Sequence, residues 1–281
     1  MVTGGNGFLG KEILSSYLKD KYRLFNINRT ILDITDFNKV KSFILQKNID
    51  VIIHCAVKGG RRNKIDTAQD YYENIIMFEN LINNLSNISL FINFDSGASF
   101  DRRQNIHRFK EEQLGDSVPN DFYGSSKYTI SKKIINLEKS INLRIFGCFS
   151  ANEDDTRLIK SNIKKYLSNK DLILHQNREM DFIYFKDVIS VVDFYINNRF
   201  ILDKLPKDIN LCYEEKNSLL QILNIINNLS DKKSNIIKNN DNDGLSYSGD
   251  GKKLNSLNIK LFGLEYGIID VYNTLREQND Q

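Results

Sequence analysis

The chain is poor in the residues that build disulfide frameworks, metal centres and membrane spans. Its three cysteines (Cys55, Cys148, Cys212) lie far apart, with neither metal-ligand spacing nor a paired framework. A reducing, cytoplasmic setting is expected. Three histidines (His54, His107, His175) are too few and too scattered for a multi-histidine centre, so no metal is expected. No apolar run approaches about 18 residues and no signal peptide is evident, which argues against membrane insertion and secretion. Only two prolines occur, no stretch rich in Pro or Gly forms a linker, and there is no internal repeat. An excess of one charge sign is also missing. Lys and Arg number 39 against 36 Asp and Glu, interspersed, for a net charge of +3, and nothing here calls for nucleic acid.

What is present describes an ordinary globular chain. Its 281 residues, 41% hydrophobic and 27% charged, suffice for one large core or two joined ones. The opening run Val2-Thr3-Gly4-Gly5-Asn6-Gly7-Phe8-Leu9-Gly10 is a glycine-rich turn between a β-prone stub and a helix, Lys11 to about Asp20. Glycines at 4, 7 and 10 permit a tight turn, close backbone approach to a pyrophosphate, and close helix packing. Nucleotide binding follows as the expectation.

Strand-like and helix-like segments then alternate. Tyr22–Asn26, Val51–Ala56, Ser89–Phe94 and Asn142–Phe146 read as strands; Ile34–Lys47 reads as a turn followed by a helix, and Asp66–Leu85 and Tyr123–Lys139 read as helical. This alternation predicts an α/β fold: a Rossmann doubly wound parallel sheet, with ligands at the carboxyl ends of its strands. Beyond Phe146 the pattern is less regular. Helices over Arg157–Leu167 and Ser218–Leu229, a strand over Leu172–Leu174, and segments near 182–212 returning to the sheet predict a smaller, interleaved C-terminal substrate lobe. The expected division gives residues 1–146 and about 182–212 to the dinucleotide-binding domain, and 147–181 and 213–281 to the lobe. Only Met1 to Thr3 precede the glycines, whereas a strand usually runs about 5–6 residues. A clipped central strand, or a start lying upstream, is expected.

The run Asp121-Phe122-Tyr123-Gly124-Ser125-Ser126-Lys127-Tyr128 carries the chemistry. If it opens a helix, Tyr123 and Lys127 share one face about a turn apart. An ammonium beside a phenol favours phenolate, from a reference pKa of about 10, and suits a proton donor and acceptor for a sugar or alcohol oxygen.

Taken together, these segments resemble the extended short-chain dehydrogenase/reductase family, the NAD(P)-dependent epimerases, dehydratases and reductases of nucleotide sugars. Thr3–Gly10 is similar to its T-G-x-x-G-x-x-G, Asp33-Ile34 to the pair flanking adenine, His54-Cys55-Ala56 to its H-x-A beside the cofactor, Asn74 to its structural Asn, and Tyr123-x-x-x-Lys127 to its catalytic pair. Arg157-Leu158-Ile159, Met180–Asp187 and Ser218-Leu219-Leu220 resemble its substrate-lobe signatures. The resemblance implies cofactor contacts from Gly4, Gly7, Phe8, Leu9, Gly10, Asp33, Ile34, Ala56 and Lys127. It also implies a Ser or Thr at the end of the strand before Tyr123. Ser96 and Ser99 compete, and Ser96, immediately past the apolar run, is preferred.

Departures narrow the implied reaction. Gly97-Ala98 stand where 4,6-dehydratases carry an Asp-Glu pair, which disfavours elimination of water. Leu32–Asp36 and Lys58–Gly60 look like GDP-fucose synthase, but Ala98 replaces the cysteine of that enzyme and no histidine occurs between Phe146 and Ile173. Epimerisation at carbons 3 and 5 is therefore not expected. Asn26-Ile27-Asn28-Arg29-Thr30 offers Arg29 for a 2′-phosphate and no acid for a ribose hydroxyl, which favours NADP(H), with NAD(H) the alternative. Arg157 and Arg178 are the candidates for a substrate diphosphate, with Lys164, Lys165 and the basic loop Lys58–Arg62 behind them. The leading reading is an NADP(H)-dependent reductase of a nucleotide-linked 4-keto-6-deoxy sugar. A C4 epimerase with bound NAD and a non-catalytic dinucleotide sensor are the alternatives. By analogy, helices near Asp66–Leu85 and Tyr123–Lys139 would form a homodimer interface.

Overall fold

A computed structural model describes residues 1–61 and 64–279. Arg62, part of the basic loop noted above, lies outside the described residues. Six strands form the central sheet: β1 (Val2–Thr3), β2 (Asn26–Ile27), β3 (Val51–His54), β4 (Leu90–Ser96), β5 (Ser140–Ile145) and β6 (Asp208–Leu211). Their spatial order is β6-β5-β4-β3-β1-β2. The β1–β2, β1–β3, β3–β4 and β4–β5 pairings are all parallel. Leu90, Phe91, Ile92 and Phe94 are all buried, as an apolar strand covered on both faces must be. From β1 the chain steps outward to β2, then crosses back past β1 to β3. This reversal makes the carboxyl ends of β1 and β3 a topological switch point, where doubly wound sheets bind ligands.

Helices α1 (Phe8–Ser15), α2 (Phe37–Lys47), α3 (Ala68–Ile82) and α4 (Phe122–Ile134) cover this sheet. Each of the last three starts on a side-chain cap: Asp36 accepts from Lys39 N, Thr67 and Asp70 form a reciprocal box, and Asp121 accepts from Gly124 N. Val40, Ile44, Ile52, Phe78, Phe91, Ile130 and Ile134 belong to one buried cluster that joins α2, α3 and α4 to the strands.

Two expectations are corrected here. The second strand is Asn26–Ile27, not Tyr22–Asn26, because a two-residue β1 offers only two residues to pair with. Hydrogen bonds from Met1 N to Val51 O and from Ile53 N to Met1 O, both 2.8 Å, extend the ladder one residue further. The first helix, expected from Lys11 to Asp20, begins at Phe8 and stops at Ser15. Ser16 is extended there and turns its hydroxyl back to Ile13 O at 2.7 Å.

Met1–Arg103, Lys110–Ile145 and Val191–Asn210 form one compact unit. Gln104–Phe109, Phe146–Ser190 and the chain from Leu211 onward form a second. The expected boundary near 182 thus falls at 191. Residues 104–109 join the second unit because the strand Ile106–Phe109 pairs with Tyr247–Gly249. In the second unit, helices Leu158–Leu167, Leu219–Asn227 and Leu264–Asn279 bury Ile159, Ile163, Tyr166, Leu223, Ile226 and Val271 together. Among the described residues, no helix is long and apolar enough to cross a membrane.

Candidate active site

The glycine turn leaves β1 directly against the end of β3. Gly4 has φ +66°, and a Cβ there would lie 2.7 Å from Ala56 N and Cα, so no side chain fits. At Gly10 a Cβ would come within 2.4 Å of Gly4 O, which is why α1 can pack onto the turn. Gly7 stands at the N-cap of α1 and offers no side chain to the first N–H groups of the helix. Those donors, with Phe8 and Leu9 half-buried in the same turn, form a cradle suited to an anion. The residues present therefore fit a dinucleotide pyrophosphate.

Thr3 and His54 lock the two strand ends together. Thr3 Oγ1 accepts from Cys55 N and Ala56 N, both at 3.2 Å, and lies 2.8 Å from His54 Nδ1. With its lone pairs engaged, the hydroxyl donates to Nδ1, which fixes the imidazole as the Nε2–H tautomer. Burial, and then the charge of Lys127, push the His54 pKa down to about 3, so the ring stays neutral.

Ile34 is buried, and exposed Asp33 closes an Asx turn on Thr35 N and Oγ1 at 3.0 and 2.7 Å. Those bonds from Thr35 hold the Asp33 carboxyl below its usual range. Arg29 is 68% exposed and donates to Glu73 at 2.7 Å. Lys58 of the basic loop reaches the same carboxylate at 3.0 Å.

Ser96, Tyr123 and Lys127 converge through backbone packing. Ser96 ends β4 and caps a 3-10 turn over Gly97–Ser99, its Oγ accepting from Ala98 N at 3.2 Å. Gly124, the third residue of α4, sits on that turn, where a Cβ would be 2.8 Å from Ala98 O. The start of α4, and Tyr123 with it, is thereby held beside the Ser96 turn. The Tyr123 ring lies over Gly60, which has φ +71° and whose Cβ would meet Cε2 at 2.8 Å. One turn further, buried Lys127 donates from Nζ to Phe94 O at 2.7 Å, two residues before Ser96. Asn74 ties the neighbourhood together: it accepts from Lys58 N at 2.7 Å and donates to Ser126 Oγ at 3.1 Å.

Ser96 and Ser99 separate cleanly. Ser96 is half-buried, whereas Ser99 is wholly buried and hydrogen-bonded to Asp95, the Ser96 carbonyl and Arg144. Arg157 and Arg178 belong to the second unit. Arg157 lies 3.9 Å from Glu153, a carboxyl that burial pushes up to about 8, and Arg178 lies 3.7 Å from Met180 Sδ. Lys164 is engaged by Asp155 at 2.6 Å. The sequence reasoning overlooked Gly60 and Gly124, and it overlooked a polar layer beneath β4, β5 and β6. The signal for that layer was available: polar residues alternate in all three strands.

A parallel sheet with a glycine cradle at its switch point, and with Ser, Tyr and Lys at an adjacent strand end, defines a Rossmann protein of the extended short-chain dehydrogenase/reductase class. The chain belongs to the NAD dependent epimerase/dehydratase family, whose pattern matches residues 1–212. It is similar to CDP-abequose synthase of Salmonella muenchen, 23% identical over 208 residues, covering 68% of this chain and 67% of that protein. GDP-L-colitose synthase of Yersinia pseudotuberculosis is 23% identical over 234 residues, 75% of each chain. Among solved structures, GDP-mannoheptose C4 reductase of Campylobacter jejuni with NADP bound superimposes with a TM-score of 0.80. That match covers 98% of this chain and 97% of the other at 17% identity, a likeness of fold.

Proposed function

We propose that this chain is an NADP(H)-dependent reductase of a nucleotide-linked 4-keto-6-deoxy sugar, acting in the cytoplasm to supply surface-polysaccharide synthesis. The observation that carries the reading is the seating of Gly124 on Ala98 O, which brings the Tyr123 turn onto the Ser96 turn above Lys127. The cradle of Gly4, Gly7 and Gly10 would hold the cofactor diphosphate, with Arg29 on a 2′-phosphate and Asp33, Ile34 and Ala56 along the adenosine. The chemistry supplied by a bound nicotinamide is transfer of a hydride to the carbonyl carbon. Ser96 Oγ, whose lone pair already takes Ala98 N, keeps its proton to donate to the ketone oxygen. Tyr123 Oη delivers the proton that completes the alcohol, and Lys127 holds the site positive as it does so. Arg157 and Arg178 would meet the diphosphate of the sugar nucleotide. The names of the relatives, which carry CDP and GDP prefixes, and the C4 reductase fold neighbour favour this substrate class.

The test is turnover of NADPH with CDP-, GDP-, UDP- and dTDP-linked 4-keto-6-deoxyhexoses, followed by nicotinamide absorbance. Tyr123→Phe should lower kcat by about 100-fold or more and leave NADPH affinity within about twofold. Interconversion of sugars without net oxidation of NADPH would replace the reductase with an epimerase, and an absence of dinucleotide binding would end the reading. A homodimer through α3 and α4 belongs to the same proposal, and a solution mass equal to one chain would refute it.

A further inference from the structure

Six polar side chains line one face of the sheet beneath the Ser96 turn. Asn93 and Asp95 of β4, Asn142 and Arg144 of β5, and Asp208 and Asn210 of β6 alternate along their strands and so share a face. The register sets Asn93 opposite Asn142 and Asp95 opposite Arg144. Arg144 is wholly buried and lies at the centre of this layer. Its Nη2 donates to Asp208 at 3.0 Å and its Nη1 to Asn210 at 3.1 Å. Its Nε donates to Asp95 at 2.7 Å and to Ser99 Oγ at 3.0 Å. Ser99 Oγ in turn lies 2.8 Å from the Ser96 carbonyl oxygen and 3.0 Å from Asp95 Oδ2, the two acceptors for its one proton, with the carbonyl the nearer.

We propose that Ser99, held by Arg144, is a positioning residue that fixes Ser96 in its reacting orientation. The inference rests on the reading that Ser96, Tyr123 and Lys127 carry the reaction. The turn over Gly97–Ser99 is a single 3-10 turn, with Phe100 N donating to Gly97 O at 3.1 Å and Ala98 N to Ser96 Oγ at 3.2 Å. So short a turn has little stiffness of its own. A buried guanidinium with charge-assisted partners on two strands is rigid, and Ser99 links it to the carbonyl of Ser96. Ser99 therefore serves the site from below, through the Ser96 carbonyl.

A double-mutant cycle on the full chain tests this, with NADPH and the best 4-keto sugar of the panel. Ser99→Ala leaves Arg144 Nε bonded to Asp95, so no buried donor is orphaned and the variant should fold. Its kcat should fall about 10-fold, with NADPH affinity and melting temperature close to wild type. In a Ser96→Ala background the same substitution should cost nothing further, because the group it positions is gone. A full 10-fold loss in that background would overturn the proposal, as would unchanged kcat in Ser99→Ala. Wild-type protein that turns over no member of the panel would instead sink the underlying reading, and this inference with it.

Discussion

Replacing Gly124 by alanine sets two opposed effects against each other. Inside a helix, alanine is favoured over glycine by about 1 kcal/mol. The structure adds a cost that propensity ignores, since the new Cβ would lie 2.8 Å from Ala98 O, 2.8 Å from Pro119 Cβ and 3.0 Å from Asp121 Oδ2. The first of these belongs to the backbone of a buried turn and the second to a proline ring, so neither yields as a flexible side chain would. Overpacking of this kind costs about 1–3 kcal/mol. Near the N-terminus the propensity gain is also smaller than in mid-helix, and sterics should win by about 1 kcal/mol, a drop of about 2–4 °C in melting temperature. Relief comes by moving the start of α4 off the Ser96 turn, which takes Tyr123 with it. Calorimetry and single-turnover kinetics should thus show a lower melting temperature together with a kcat reduced about 10-fold. A Gly124→Ala protein that melts above wild type with unchanged turnover would refute the reasoning, because Ala98 O would then not be what positions Tyr123.

Two further predictions follow from charge. His54 has its folded pKa pushed down to about 3, below the unfolded value of 6.5, so the stability tied to its neutral form is complete above pH 6.5 and drains away as pH falls toward 3. At about 1.4 kcal/mol per pH unit, urea unfolding should show wild type losing about 2 kcal/mol relative to His54→Gln between pH 7 and pH 5. Equal slopes for the two proteins would mean that His54 does not stay neutral. Arg29→Ala should change stability by less than about 1 kcal/mol, since Arg29 is itself largely exposed and Lys58 still pairs with half-buried Glu73. It should nevertheless weaken NADPH binding about 10-fold or more while sparing NADH, as titration fluorimetry would read; equal losses for both would remove Arg29 from the 2′-phosphate.

Much of this was legible in the chain because the decisive constraints are local. Each glycine of the opening turn answers to a steric demand within a few residues or at the adjoining strand end, and apolar runs such as Leu90–Phe94 announce a strand covered on both faces. The errors came where partners are distant. Tyr22–Asn26 looked like a strand on composition, yet its paired length is set by β1, which is two residues long. Gly60 stands out in the sequence only as part of a basic loop and of a segment resembling GDP-fucose synthase, whereas in the fold it receives the Tyr123 ring from 63 residues away. The alternation of Asn93 with Asp95, Asn142 with Arg144, and Asp208 with Asn210 was readable at period two. It passed unread because buried parallel strands are expected to be apolar throughout.

The Ser96 turn also bears on which reactions the site can support. By the family resemblance Ala98 stands where some members carry an acid or a thiol, and on that ground alone the case against elimination and epimerisation is only the absence of a functional group. The packing adds a physical reason. Ala98 is 1% exposed, its N–H is engaged by Ser96 and its carbonyl lies against α4 at Gly124. A carboxylate in place of that buried methyl would have to be desolvated or would force the turn away from α4, and either outcome is costly. The buried methyl of Ala98 and the close seat of its carbonyl on Gly124 thus favour the proposed reduction at a single carbonyl over chemistry that needs an acid at position 98.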